Sequence, residues 1–362
     1  MTDKNPEEIT VDKESEEVAA DETPEEVAAD KTPEEVVADE SPEEVTAVVK
    51  PVEAIVDKIP EEHYVKQGDP DKPTYYIIRR LPETTGFLAR YRMVAGHVRY
   101  AMSKGWIPVV DMQNYASPYL DPKKFGKENA WEYYFEQPLR IGLDEAYSGE
   151  NIILSNGDCV KPYPGHSLKM LERVTDELTE WRMLIKLGLI KIKPALMEEI
   201  LAIRDSLFSR EDRVLGVNMR GTDYLVRKIK GRPIPPPVDF AKSIVNAKLK
   251  DWNCNKFFLA TEDKKILESF QDTFGYRCVI LDRGYVDYNS IKDKWVSVCR
   301  INRENDHYLQ GKEYLTQIVI LSMCNSLVAA RCSGTTTAMM LADKFEHTYF
   351  FNVGRYGNIT LD

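Results

Sequence analysis

Residues 214–224 read VLGVNMRGTDY, an apolar run that stops on Arg220, Gly221, Thr222 and Asp223 in immediate succession. A short apolar run bounded in this way reads as a buried strand. Its polar ending has two readings: a strand leaving into a turn, or a strand whose carboxyl end holds an anion. The residues that follow set the fold class. PVDFAKSIVNAKLK reads as a helix, KFFLA as a strand, KKILESFQDTFG as a helix and RCVIL as a strand. KEYLTQIVILSMC is a helix, SLVAA a strand, TTTAMMLAD a helix and HTYFFN a last strand. Strands that alternate with helices predict a parallel sheet covered on both faces. Residues 211–362 are therefore expected to form a doubly wound, Rossmann-like α/β domain.

In an open parallel sheet, ligands bind beyond the carboxyl ends of the strands. Three of these strands end alike. The first runs into Arg220 to Tyr224. The second runs into Thr261, Glu262 and Asp263. The third runs into Arg331 and Cys332, then Ser333, Gly334, Thr335, Thr336 and Thr337 at the start of a helix. Three polar endings on one edge favour a ligand over three unrelated turns. Arg220 offers a planar fork for phosphate oxygens, against a plain salt bridge. The hydroxyls and free N–H groups at Ser333 to Thr337 suit a diphosphate, against an ordinary helix cap. Glu262 and Asp263 would accept from a base or ribose, or cap the helix beside them.

Upstream, TYYIIRRL, WIPVVDM and NIILS read as strands, and GFLARYRMVAGHVRYAMSKG as a helix. Two helical stretches, about 168–188 and 194–208, bridge to the second unit. Residues 71–210 are expected to form an N-terminal α/β domain, on the acceptor side of a two-domain cleft.

Residues 1–70 are expected to be a disordered acidic tail. Pro-Glu-Glu-Ile or Pro-Glu-Glu-Val recurs at Pro6, Pro24, Pro33 and Pro42, with Ser15 opening the equivalent unit, at a spacing of nine. One aliphatic anchor per unit cannot offset chain entropy. Residues 1–62 hold 22 acidic and 5 basic residues, a charge of −17, which leaves +6 on the rest of a chain whose net charge is −11. The tail is a solvated spacer or a docking segment for a partner. The mildly basic body suits a phosphate-bearing ligand, and no basic patch is dense enough to indicate nucleic acid.

The six cysteines, Cys159, Cys254, Cys278, Cys299, Cys324 and Cys332, form no CxxC pair and read as reduced. No signal core and no apolar stretch near the roughly 18 residues of a membrane span occurs. The expected location is cytoplasmic, free or peripheral at the inner membrane face. There is no GxxxxGK[ST], no GxGxxG after a strand, no HExxH and no Cys/His cluster. Asp69-Pro70-Asp71 is the sole Asp-x-Asp and precedes the first upstream strand. No metal is expected; charge on a diphosphate would be met by arginine, hydroxyls and backbone dipoles.

GVNMRGTDY, FFLATED and ILSMCNSLVAARCSGTTTAM together resemble, in order and spacing, the motifs of the fucosyltransferase superfamily that holds α-1,6-, nodulation and protein O-fucosyltransferases. GFLARYRMVAGHVRYAMSKGWIPVVDM is similar, more weakly, to that family's glycine-containing loop and helix facing the donor diphosphate, which adds Gly86 and Phe87 to the site. The resemblance covers nearly all of residues 75–345. It implies a two-domain GT-B enzyme that inverts the anomeric centre and uses a GDP-sugar without metal. Arg220 would then steady the β-phosphate, Asp223 would be the motif's structural carboxylate, Glu262 and Asp263 would lie near the guanosine, and Ser333 would bind phosphate. Asn218, Gly221, Thr222, Thr261, Gly334, Thr335 and Thr336 would complete the donor site. Three positions depart from the pattern: Asn218 stands for a histidine, Gly221 for a second arginine, and Gln317 for an acidic residue. The implied function is transfer of a sugar, first of all L-fucose, to a glycan acceptor. The alternatives are another nucleotide sugar, or a non-catalytic glycan- or nucleotide-binding protein.

Overall fold

Four strands, β1 (Tyr64–Lys66), β2 (Thr74–Ile78), β3 (Ile107–Val110) and β4 (Asn151–Leu154), make a first sheet of order β1–β4–β2–β3. In it β2, β3 and β4 run parallel, and β1 lies antiparallel on β4. A second sheet holds β5 (Val214–Asn218), β6 (Lys256–Ala260), β7 (Cys278–Val279), β8 (Ser326–Ala329) and β9 (His347–Phe350) in the order β7–β6–β5–β8–β9, all parallel. The computed structural model describes residues 64–357 except 80, 82–84, 157–159, 161–163, 166–170, 172–175 and 288–294. Nine α-helices are described. They are α1 (Phe87–Ser103), α2 (Leu143–Ser148), α3 (Asp176–Lys186), α4 (Pro194–Leu207), α5 (Asp223–Arg227), α6 (Val238–Asp251), α7 (Lys264–Phe274), α8 (Asp306–Ser322) and α9 (Ser333–Leu341). None of the described helices is long and apolar enough to cross a membrane.

Residue parity sorts the second sheet into two faces, because successive strand side chains point to opposite sides. Leu215, Val217, Phe257, Leu259 and Val328 pack with α6 and α7 through Val245, Leu249 and Phe270. Val214, Phe258, Leu327 and Ala329 face the other way, onto α8 and α9 through Ile318, Leu321 and Met339. Gly216 sits on this second face, where a Cβ would stand 2.8 Å from Leu321 Cδ1, so α8 lies close against β5 there. The same core continues without a break into the first sheet, through Val94 and Val98 of α1, Tyr76 and Ile78 of β2, and Trp181 of α3. The opposite face of the first sheet packs Tyr75, Ile77, Val109 and Ile152 against Leu143 and Ala146 of α2.

The two α/β layers and the parallel second sheet match the expected class. Three boundaries differ. Residues 64–70 belong to the fold rather than to the tail. β1 pairs with β4, the Gly68 amide donates to Asn151 Oδ1 at 2.7 Å, and the Asn151 amide donates to the Asp69 carbonyl at 2.6 Å. Three strand residues at a polar edge leave no alternation to read. The strand expected over RCVIL shrinks to two residues, because the chain turns away after Val279. The helix expected from Lys312 begins at Asp306, after Asn305 in the left-handed region at φ 55°. The nine-residue repeats lie outside the described residues, as does Cys159. The other five cysteines are free and buried, and burial pushes the Cys278 thiol up to about 12.

Candidate active site

The chain runs from β5 to β6 and β7 on one side, then crosses to β8 and β9 on the other. β5 and β8 therefore flank a topological switch point, where a crevice opens at the carboxyl edge. The three polar strand endings lie on adjacent strands of that edge. A cavity of about 410 Å³ sits there, closed on its far side by the start of α1.

Arg220 leaves β5 into this cavity. Its Nη1 pairs with Glu262 Oε1 at 2.8 Å and its Nη2 with Asp223 Oδ1 at 2.7 Å. Burial alone would lower the guanidinium's pKa, but the Glu262 and Asp223 carboxylates more than reverse this and hold it well above the ordinary arginine value. The turn behind it is tied down: the Thr222 hydroxyl donates to Glu262 Oε1 at 2.8 Å, and the Thr222 amide donates to Asp263 Oδ2 at 3.0 Å. Asp263 also caps α7, accepting from the Lys265 and Ile266 amides at 2.9 and 3.2 Å. Thr222 holds φ 48°, strained for a β-branched residue, and those bonds hold it there. At Gly221 a Cβ would stand 2.5 Å from Asp263 Oδ2. An arginine side chain has no room at that backbone position.

Two helix N-termini meet the cavity from opposite layers. α1 starts after Gly86, and its first amide, of Phe87, donates to the Tyr119 hydroxyl at 2.7 Å; α9 starts after Cys332 with no side-chain cap. Gly86, Phe87, Cys332 and Ser333 all line the wall. The positive ends of both helices thus face one volume. Arg92, further along α1, joins them: its Nη1 donates to Ser333 Oγ at 2.8 Å and its Nε to the Pro164 carbonyl at 2.6 Å.

A second arginine cluster lines the other side. Arg283 Nη1 donates to Gln317 Oε1 at 2.8 Å, and Gln317 Nε2 donates to the Thr261 carbonyl at 3.0 Å. Burial pulls the Arg283 guanidinium below the ordinary arginine value despite nearby Glu313. Arg303 binds Glu313 at 3.0 Å and Asp306 at 2.8 Å. Four carboxylates line the cavity, and each is an arginine partner.

Of the residues singled out from sequence, Gly86, Phe87, Arg220, Asp223, Glu262 and Ser333 line the cavity. The others stand behind its wall. The Asn218 amide and the Thr335 hydroxyl are hydrogen bonded at 2.9 Å, and the Thr336 hydroxyl donates to the Gly165 carbonyl at 2.7 Å. The Thr261 hydroxyl accepts from the Asp263 amide at 3.2 Å. Gly334 packs where a Cβ would meet the Tyr314 hydroxyl at 2.8 Å. Gly221, Thr222 and Asp263 hold the turn described above. These eight residues brace the strand ends that carry the lining side chains.

Arg92, Arg283, Arg232 and Trp295 line the cavity without having been singled out. One signal was available. Asp282-Arg283-Gly284 follows β7 as Arg220-Gly221 follows β5, a fourth strand ending of the same kind.

No family model matches the chain, and no curated protein matches it. Among solved structures, it is similar to the Se-Met fucosyltransferase NodZ from Bradyrhizobium, at 17% identity and TM-score 0.44, over 80% of this chain and 98% of that one. NodZ α-1,6-fucosyltransferase soaked with GDP-fucose gives the same identity, coverage and TM-score. It is also similar to POFUT1 in complex with GDP, at 11% identity and TM-score 0.47, over 78% of this chain and 99% of that one.

Proposed function

We propose that the protein is an inverting, metal-independent glycosyltransferase that moves a sugar, L-fucose in the leading case, from a GDP-sugar to a glycan hydroxyl. One observation carries this reading: Arg220, Arg92, Ser333 and the N-termini of α1 and α9 converge on one cavity at the switch point. A diphosphate is the ligand whose charge that arrangement suits. The choice of GDP-fucose follows the resemblance of the three strand-ending segments to fucosyltransferase motifs. Metal independence is supported by the same positive field, which can meet the charge of a diphosphate without a cation.

In the proposed reaction the bond from the sugar C1 to the β-phosphate oxygen breaks, and its electron pair leaves with GDP. Negative charge grows on that oxygen, where Arg220 and the helix ends stabilise it. The acceptor hydroxyl forms the new bond on the opposite face of C1 and gives up its proton on that face to solvent, while the electron pair of the broken bond stays with GDP. A second reading, a protein that binds a nucleotide sugar without transferring it, is favoured by the pairing of all four cavity carboxylates to arginines, which leaves none as a ready base.

The test is a thermal-shift survey of GDP-, UDP- and dTDP-sugars, followed by turnover of the best donor with EDTA present. The expected result is the largest rise in melting temperature with GDP-fucose and turnover that survives chelation. A larger shift with another nucleotide sugar overturns the GDP assignment. Restoration of lost activity by Mg²⁺ overturns the metal-free one, and binding without turnover selects the second reading.

A further inference from the structure

Arg232 lines the cavity and differs from its other arginines. Arg220, Arg283 and Arg303 each hold a carboxylate or an amide, and Arg92 holds Ser333. Among the described residues the Arg232 guanidinium makes no hydrogen bond and no ion pair. It lies instead between two aromatic rings, with Cζ 5.3 Å from the Tyr224 centroid and 5.2 Å from the Trp295 centroid. Arg227 stands 4.1 Å from the same Trp295 ring, and Arg220 5.1 Å from the same Tyr224 ring. Three guanidiniums thus share two rings. Of these cations Arg220 is already neutralised by Glu262 and Asp223, whereas the rings attract the Arg232 guanidinium without offering its N–H groups an acceptor.

The backbone under Arg232 is fixed. The Gly231 amide donates to the Tyr356 carbonyl at 2.8 Å, the Tyr356 amide to the Arg232 carbonyl at 3.0 Å, and the Ile234 amide to the Gly354 carbonyl at 2.9 Å. Arg355 Nη1 adds a bond to the Gly231 carbonyl at 2.8 Å. Residues 227–232 carry four cations, Arg227, Lys228, Lys230 and Arg232, and no carboxylate. A guanidinium that lies against two rings, whose backbone is clamped and whose donors lack an acceptor is prepared for an oxyanion.

We infer that Arg232, held between Tyr224 and Trp295, reads an anionic group on the acceptor, so that the acceptor glycan carries a carboxylate or a phosphate. This rests on the glycosyltransferase reading, in which Arg220 and Ser333 take the donor diphosphate and leave Arg232 for the second substrate.

The experiment titrates the full chain, with and without saturating GDP, by calorimetry. The probes are tetragalacturonate against its methyl ester, and galactose 6-phosphate against galactose. At least one charged probe is expected to bind about tenfold or more tighter than its uncharged counterpart. Arg232→Ala should abolish that preference while GDP affinity stays within about twofold of wild type. Arg232→Lys, which keeps the charge but loses the planar stack, should retain only part of the preference, and it carries the test if the alanine variant does not fold. The two probe pairs separate carboxylate from phosphate. Equal or absent binding of charged and uncharged probes overturns the inference, as does a preference that survives Arg232→Ala. A matching loss of GDP affinity in Arg232→Ala would return the residue to the donor site and also overturn it. Failure of GDP to bind the wild-type chain sinks the glycosyltransferase reading instead, and the titrations without GDP still report on the anion site.

Discussion

Arg220 and Glu262, from neighbouring strands, form an ion pair of 2.8 Å at the floor of the cavity, with the arginine side chain 17% exposed and the glutamate 7%. Asp223 shares the same guanidinium at 2.7 Å. Removing Arg220 would leave two buried carboxylates without their cation. Arg220→Ala should therefore lose stability as well as rate, roughly 3–5 kcal/mol of the former. Turnover should fall on the order of 10²-fold or more, by analogy with single oxyanion donors. Arg220→Lys keeps the charge and should melt closer to wild type, yet it should still turn over poorly because the planar fork is gone. Melting curves beside donor turnover read both effects. A lysine variant as fast as wild type would remove Arg220 from the chemistry.

Gly221→Ala should destabilise the fold by about 1–3 kcal/mol, the usual cost of overpacking. The new methyl would press on Asp263 Oδ2 at 2.5 Å and on Ile266 Cδ1 at 2.8 Å, and the Asp263 cap of α7 would have to shift. Denaturant melts of the two proteins check this. Equal midpoints would mean that the turn has slack the structure does not show.

Asp212 gives a pH dependence with a definite sign. Its carboxylate takes hydrogen bonds from Lys256 Nζ at 2.8 Å and the Ser209 amide at 2.9 Å, and these hold its pKa well below the usual carboxylate range. The folded pKa is depressed, so this stabilisation is present above the unfolded value of about 3.9 and is lost as pH falls through the folded one. Asp212→Asn should lower Tm by a constant amount between pH 5 and 7, on the order of the plateau that linkage requires. The gap should begin to narrow below about pH 4 and close only as pH falls through the depressed folded value. A gap that widens in acid would contradict the assignment.

A chain beginning at Asp71 should be less stable than one beginning at Tyr64. The shorter chain loses β1 and the Gly68 and Asp69 partners of the buried Asn151 side chain. A buried amide left short of partners costs about 1–3 kcal/mol. Comparing the two Tm values is sufficient, and equal values would return residues 64–70 to the tail.

The second sheet was legible because β5, β6 and β8 are apolar runs separated by amphipathic helices. The edge holding the cavity followed from their polar endings. Which polar residues touch the cavity was not legible. Thr222, Asp263 and Thr335 carry the same chemistry as Asp223, Glu262 and Ser333, yet they point into the turns and brace them. Arg92 was hidden because α1 is buried nearly all round, so no polar stripe marks it. Arg283 follows a strand of only two paired residues. Arg232 and Trp295 meet through loops that have no period to read.

The core that runs from Tyr76 in the first sheet through Val94 and Trp181 to Ile318 and Met339 beneath the second belongs to neither half alone. Neither half could be excised without exposing it. The body should absorb heat in one peak, with van't Hoff and calorimetric enthalpies in agreement, rather than as two separately melting pieces. A ligand seated between the layers would then raise the melting temperature of the whole body together, since it rests on both walls of a single cooperative structure.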